Sequence, residues 1–259
     1  MKIPRFVFSL AMALASLLTS TGTHAEERHV FLLVGQSNMA GRATIEAEDE
    51  GEIEGVDLWN IAEKKWEPAT APFNRHSPHR KEMSMQRLNP GPTFAKAWRD
   101  AHPGVKVGIV CSVRGGTSIE QWEKGRQDPW ALYDSALAAA QAALAADPES
   151  RLVGILWHQG ESNSGAAEEY PAKLKALVAT WRADFDDAEL PFVFGQIGQW
   201  NPDYAAFNDM IVKQPANISH TACVETNGLT NMDKAHFDSK SQRELGKRYA
   251  KAMIELTEK

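Results

Sequence analysis

The chain contains one serine, one histidine and several carboxylates whose placement suits acyl transfer. Ser37 lies in Gly35-Gln36-Ser37-Asn38, directly after an apolar run at residues 30–34 that reads as a buried strand. A serine at a strand-to-helix turn projects its hydroxyl from the top of a sheet, and glycines at 35 and 41 permit tight backbone turns around it. Serine ahead of a helix also serves as an N-cap, so Ser37 alone does not define a nucleophile. Downstream stands Asp233-Lys234-Ala235-His236. A base and an acid three residues apart share one turn, so the carboxylate can fix the imidazole tautomer and leave the other ring nitrogen to take the Ser37 proton.

Acyl transfer also needs donors for the negative charge that grows on the carbonyl oxygen. Three sources are available: the Ser37 backbone N–H, the Gly115-Gly116 pair, and the side-chain amide of Gln159 in His158-Gln159-Gly160-Glu161. Glu161 competes with Asp233 for the histidine. Its other reading is structural, as the partner of a cation such as Arg42 or Arg114. Those two arginines read either as ion-pair partners of that kind or as ligands of an acidic sugar.

These residues need a scaffold that gathers strand ends. Apolar runs at 30–34, 105–111, 152–157 and 191–197, with weaker ones at 56–61 and 221–225, read as buried strands. Between most of them lie helical patterns. Asp128-Pro129 opens an alanine-rich helix that ends near Ala146, Pro92 opens one closed by His102-Pro103-Gly104, and an amphipathic helix follows Asp238. The alternation predicts an α/β fold with a mostly parallel sheet covered on both faces, and such sheets bind ligands beyond the carboxyl ends of their strands. Every polar cluster named above sits at such an end or just before the last helix. Residues 62–91 lack periodicity and read either as a functional loop or as a surface excursion.

Lys2 and Arg5 precede an apolar run from Phe6 to about Leu18, and small residues close the segment at Ala25, so residues 1–25 read as a signal peptide. Residues 26–259 then form one domain, exported to the periplasm or the exterior, with no membrane association once the leader is removed. A retained anchor is the alternative. A hydrophobic content of 43% suffices for one core. The net charge of −6, with Lys and Arg dispersed, argues against a nucleic-acid partner. An exported chain could join Cys111 and Cys223 in a disulfide; because both fall inside apolar runs they read either as that bridge or as buried free thiols, the second being preferred.

The stretch Val34-Gly35-Gln36-Ser37-Asn38-Met39-Ala40-Gly41-Arg42 and the block Gly115-Gly116-Thr117-Ser118-Ile119 resemble motifs of the sialate O-acetylesterase and acetylxylan esterase branch of the SGNH hydrolases. So do Trp157-His158-Gln159-Gly160-Glu161-Ser162, Asp233-x-x-His236-Phe237 and the intervening Asn89-Pro90-Gly91-Pro92-Thr93-Phe94-Ala95, in the family's order. The resemblance implies a three-layer flavodoxin-like sandwich and hydrolysis of acetyl esters on sugars, with no metal and no cofactor. It also implies Ser37 as nucleophile, His236 as base, Asp233 as its orienter, and Gly116 with Gln159 in the oxyanion hole. Many SGNH enzymes carry an asparagine in the third block where this chain has Gln159 and Glu161. Rival readings are a lipase or thioesterase on longer acyl chains, a metal-dependent deacetylase, and a non-catalytic carbohydrate-binding protein. Tryptophans at 59, 66, 122, 130, 157 and 200 divide between core and sugar stacking.

Overall fold

The computed structural model describes Met1 and residues 27–258, so the leader read at 1–25 lies outside the described residues. Among these residues, seven strands form a single sheet: β1 (Arg28–Gly35), β2 (Val56–Asn60), β3 (Lys65–Pro68), β4 (Lys106–Cys111), β5 (Ser150–His158), β6 (Phe192–Gly195) and β7 (Thr221–Val224). Their order is β3-β2-β4-β1-β5-β6-β7. All neighbours are parallel except β2 and β3. Strand β3 arises inside the stretch without periodicity. It is a short edge strand whose Trp66 pairs with Trp59, and a half-exposed four-residue edge leaves no alternation to read.

Among the described residues, six α-helices cover the sheet: α1 (Ser37–Ala40), α2 (Gly91–Ala101), α3 (Leu132–Ala145), α4 (Tyr170–Asp184), α5 (Ala205–Ile211) and α6 (Ser239–Thr257). Along β1, Val30, Leu32 and Val34 enter the core shared with α3, α4 and α5, while Phe31 and Leu33 enter the core shared with α1, α2 and α6. A strand buried on both faces must be apolar throughout, which is why β1 reads as a run rather than an alternation. The result is the expected three-layer α/β sandwich.

Helix starts follow local chemistry. The Asp238 carboxylate accepts the Ser241 N–H at 2.8 Å and caps α6. Pro92 occupies the first turn of α2 as expected. Helix α3 begins later than the sequence reading had it. Asp128 Oδ1 accepts the N–H groups of Trp130 and Ala131, both at 2.9 Å, and Ala131 is left-handed, so a tight turn precedes the helix. Cys111 and Cys223 are free thiols, the first buried and the second partly so. Of the tryptophans read as sugar-stacking or core, Trp59, Trp122 and Trp157 are buried, and Trp66 and Trp130 partly so.

Candidate active site

Strand β1 lies between β4 and β5, so the chain turns outward on either side of it and leaves a crevice at its carboxyl end. Gly35 ends β1 with φ 131°, and a side chain there would sit 2.8 Å from the His158 carbonyl carbon. Only glycine permits this approach, and it sets Gln36 N–H on the His158 carbonyl at 2.9 Å. Helix α1 then starts with Ser37, which is almost fully buried. Gly115, beyond β4, packs on Ser37 so tightly that a methyl group on it would lie 3.3 Å from Ser37 Cβ. Gly116 follows with φ 76°. Among the described residues, neither the Ser37 nor the Gly116 backbone N–H donates to a protein acceptor.

The loop between β7 and α6 carries Asp233 and His236. Asp233 Oδ2 accepts from His236 Nδ1 at 2.8 Å, while Oδ1 accepts the N–H groups of Ala235 and His236 at 2.8 and 2.9 Å. Partial burial would raise the Asp233 carboxyl, but the bonds from the His236 ring and the two N–H groups outweigh it and hold the group below its ordinary value. With Nδ1 donating to the carboxylate, Nε2 is the free basic nitrogen. Trp200, beyond β6, flanks this loop. Its indole donates to the Lys234 carbonyl at 3.1 Å, and its ring meets Phe237 edge-on.

Asn38, which sequence reasoning passed over, joins the two halves. It is fully buried, and its amide donates to the Ala235 carbonyl at 3.0 Å and accepts the Phe237 N–H at 3.2 Å. One side chain next to Ser37 thus holds the residue on each side of His236. The same amide nitrogen lies 2.5 Å from Glu161 Oε1.

The expectation that Glu161 pairs with Arg42 or Arg114 is not met. Neither arginine forms an ion pair among the described residues: Arg42 donates to the carbonyls of Gly41 and Met85, and Arg114 to that of His79 while stacking on Trp130. Burial pushes the Glu161 carboxyl up to about 7, with the Asn38 bond opposing, and its Oε2 has no partner. The acceptors that hold the two guanidinium groups lie largely in the 62–91 stretch, at Met85 and His79, rather than at Glu161.

Gln159 is likewise committed. Its amide nitrogen faces Gln36 Oε1 at 3.1 Å, the Thr117 carbonyl at 3.1 Å and Asn163 Oδ1 at 2.7 Å, while its oxygen accepts from Tyr170 at 2.7 Å. Two hydrogens already have three acceptors, so a substrate oxygen would have to displace one. His158 is also engaged, since Tyr249 donates to the Trp157 carbonyl and must therefore accept from His158 Nδ1, at 3.0 Å. Burial drives that imidazole down to about 3. Part of the aperiodic stretch 62–91 supports the site: Asn74 grips the backbone of Val113 through both its amide atoms at 3.1 and 3.2 Å, fixing the approach to Gly115.

A doubly covered parallel sheet whose polar residues converge beyond the central strand is the architecture of the SGNH-like ester hydrolases. The chain belongs to the family described as carbohydrate esterase, sialic acid-specific acetylesterase, whose model matches residues 27–255. It is 26% identical over 251 residues to a probable carbohydrate esterase of Arabidopsis thaliana, covering 87% of this chain and 90% of that protein. The solved structure of that plant protein is similar with a TM-score of 0.78 at 24% identity, over 90% of this chain and 100% of the other. NanS gives 0.68 at 15% identity over 89% and 97%. XAC1771, a carbohydrate acetylesterase from Xanthomonas citri, gives 0.65 at 21% over 89% and 57%. The chain is thus a carbohydrate esterase, and its family takes acetylated carbohydrates as substrate.

Proposed function

We propose that the chain is an exported carbohydrate O-acetylesterase that works through Ser37, His236 and Asp233. The observation that supports this reading is the Asp233–His236 pair, whose loop is bonded by Asn38, the residue that follows Ser37 at the end of the central strand. In the first half-reaction His236 Nε2 takes the Ser37 proton as Oγ bonds to the acetyl carbon. The N–H groups of Ser37 and Gly116 receive the oxyanion. Collapse breaks the bond to the sugar oxygen, which leaves with the proton from His236. Water, activated by the same imidazole, then releases acetate and restores Ser37. Gln159 joins as a donor only by exchanging one of its present acceptors, and otherwise fixes Gln36 and Thr117.

An acidic sugar suits the rim of the site. Arg42 and Lys81 flank Gly115 and Gly116; Lys81 forms no ion pair among the described residues, and Arg42 feels the Asp233 carboxylate only at longer range than a salt bridge. Export rests on the leader at 1–25; among the described residues, no helix is long and apolar enough to cross a membrane.

The test is Ser37→Ala together with organophosphonate labelling of the parent. Expected are loss of all but a few per cent of p-nitrophenyl acetate hydrolysis, an unchanged melting temperature, label on Ser37, and acetate release that persists in chelator. Label on another serine would defeat the assignment, activity restored only by zinc would indicate a metal enzyme, and a rate rising with acyl length would indicate a lipolytic one.

A further inference from the structure

From the contacts of Asn38 and Glu161 we infer that Asn38 is a positioning residue for the catalytic base, with Glu161 as the buried post that holds the Asn38 amide in register. The inference rests on the proposed roles of Ser37 and His236 and extends them to side chains that touch neither substrate nor imidazole.

Three observations carry it. First, the His236 loop is exposed and short of core contacts of its own: the Asp233 side chain is 48% and the His236 side chain 21% exposed. Its internal bonds, Met232 N–H to the His236 carbonyl and Asn231 to the Asp233 carbonyl, close the loop on itself without anchoring it to the sheet. Anchorage falls to Asn38, through Ala235 and Phe237, to the Trp200 indole on the Lys234 carbonyl, and to the Phe237 ring, which is buried against His158 and Trp200; of these only Asn38 grips the backbone on both sides of His236.

Second, the amide is itself over-determined. Gln242 of α6 donates to the Asn38 carbonyl at 3.3 Å and to its Oδ1 at 3.4 Å, and Glu161 receives the second Nδ2 hydrogen. Every hydrogen and oxygen of the Asn38 side chain therefore has a partner, which allows one rotamer and one amide orientation.

Third, the Glu161 carboxyl faces no cation among the described residues, and its Oε2 is shut off from solvent without a hydrogen-bond partner. A group so costly to bury has little structural justification by itself. Its one hydrogen bond to another side chain among the described residues is to the Asn38 amide, which makes Asn38 its direct link to the His236 loop. Glu161 thereby influences the base without replacing Asp233, whose carboxylate is the one bonded to the imidazole.

The reach of the effect follows from geometry. Proton transfer tolerates little misplacement, and a shift of about 1 Å in a reacting group costs on the order of 100-fold in rate. Asn38→Ala removes both bonds to the loop. Asn38→Asp keeps the acceptor for Phe237 N–H, loses both donated bonds and sets a second carboxyl against Glu161. Adding Glu161→Gln to Asn38→Asp restores a donor and acceptor between positions 38 and 161.

Steady-state kinetics on p-nitrophenyl acetate, each variant assayed at least 10 °C below its own melting temperature, decide the matter. Expected are a kcat loss of about 10- to 100-fold in Asn38→Ala and Asn38→Asp with KM changed less than about threefold, and recovery of about fivefold or more in the Asn38→Asp, Glu161→Gln double variant. The proton NMR signal of the His236 Nδ1–H bonded to Asp233 should broaden in Asn38→Ala and sharpen again in the double variant. A kcat within threefold of the parent in both single variants overturns the inference. So does a loss that disappears once assays are matched to melting temperature, or a double variant no better than Asn38→Asp. If Ser37→Ala were to remain active, the underlying assignment would fail instead, whatever Asn38 does.

Discussion

Replacing Asp233 by asparagine and by alanine should separate catalysis from loop stability in opposite directions. The reason lies in which oxygen does what. Oδ1 of Asp233 accepts two backbone N–H groups, and Oδ2 accepts from His236 Nδ1. An asparagine must keep its oxygen toward the two N–H donors, because an NH2 group there would meet two donors. Its NH2 then faces Nδ1 and makes that nitrogen an acceptor, which moves the ring proton to Nε2 and abolishes the base. The expected loss in kcat is about 10³- to 10⁴-fold, corresponding to roughly 4–5.5 kcal/mol, with KM little changed. Alanine leaves Nδ1 to water, so part of the population keeps a basic Nε2 and kcat should exceed that of the asparagine variant by several-fold. Stability runs the other way. Asparagine retains the acceptor for both N–H groups, whereas alanine gives up a cap worth about 0.5–2 kcal/mol. The assay is kcat and KM on p-nitrophenyl acetate beside urea denaturation of both variants. An alanine variant less active than the asparagine variant, at matched folded fraction, would refute the reasoning about the tautomer.

Two further outcomes test the surroundings. The Glu161 carboxyl is raised from 4.5 to about 7, so the folded chain holds a proton there that the unfolded chain has lost. The stability it contributes is complete below about pH 4.5 and is lost as pH rises to about 7. Glu161→Gln should therefore gain on the parent by about 3 kcal/mol between pH 4 and pH 8, and a pH-independent difference in urea melts would count against the burial argument. Gly35→Ala places a methyl against the His158 backbone at a left-handed φ and should prevent stable folding. Gly115→Ala meets mainly the Arg42 guanidinium end and the Ser37 Cβ, so it should fold and lose activity; thermal melts and kinetics on both variants distinguish the two cases.

Much of this protein is written in short-range pattern. Apolar runs give six of the seven strands, because a strand covered on both faces must be apolar along its length. Asp238 and Pro92 mark helix starts through bonds and φ values that depend only on near neighbours. The Asp233–His236 pair is legible for the same reason, since three residues span one turn. What lay beyond the pattern depends on competition among groups brought from far apart in the chain. Asn38 meets Ala235 and Phe237 from nearly two hundred residues away. Gln159 looks like an available donor in sequence, yet Gln36, Thr117 and Asn163 surround its amide once β1, β4 and β5 are aligned. Arg42, Arg114 and Glu161 have matching charges, but backbone carbonyls take the guanidinium groups and an amide takes the carboxyl. Residue types and spacing thus determined which chemistry the chain can support and which elements carry it. The tertiary structure decided which donor meets which acceptor, because a hydrogen bond is won by the nearest well-aligned partner and that ranking exists only after the sheet has assembled.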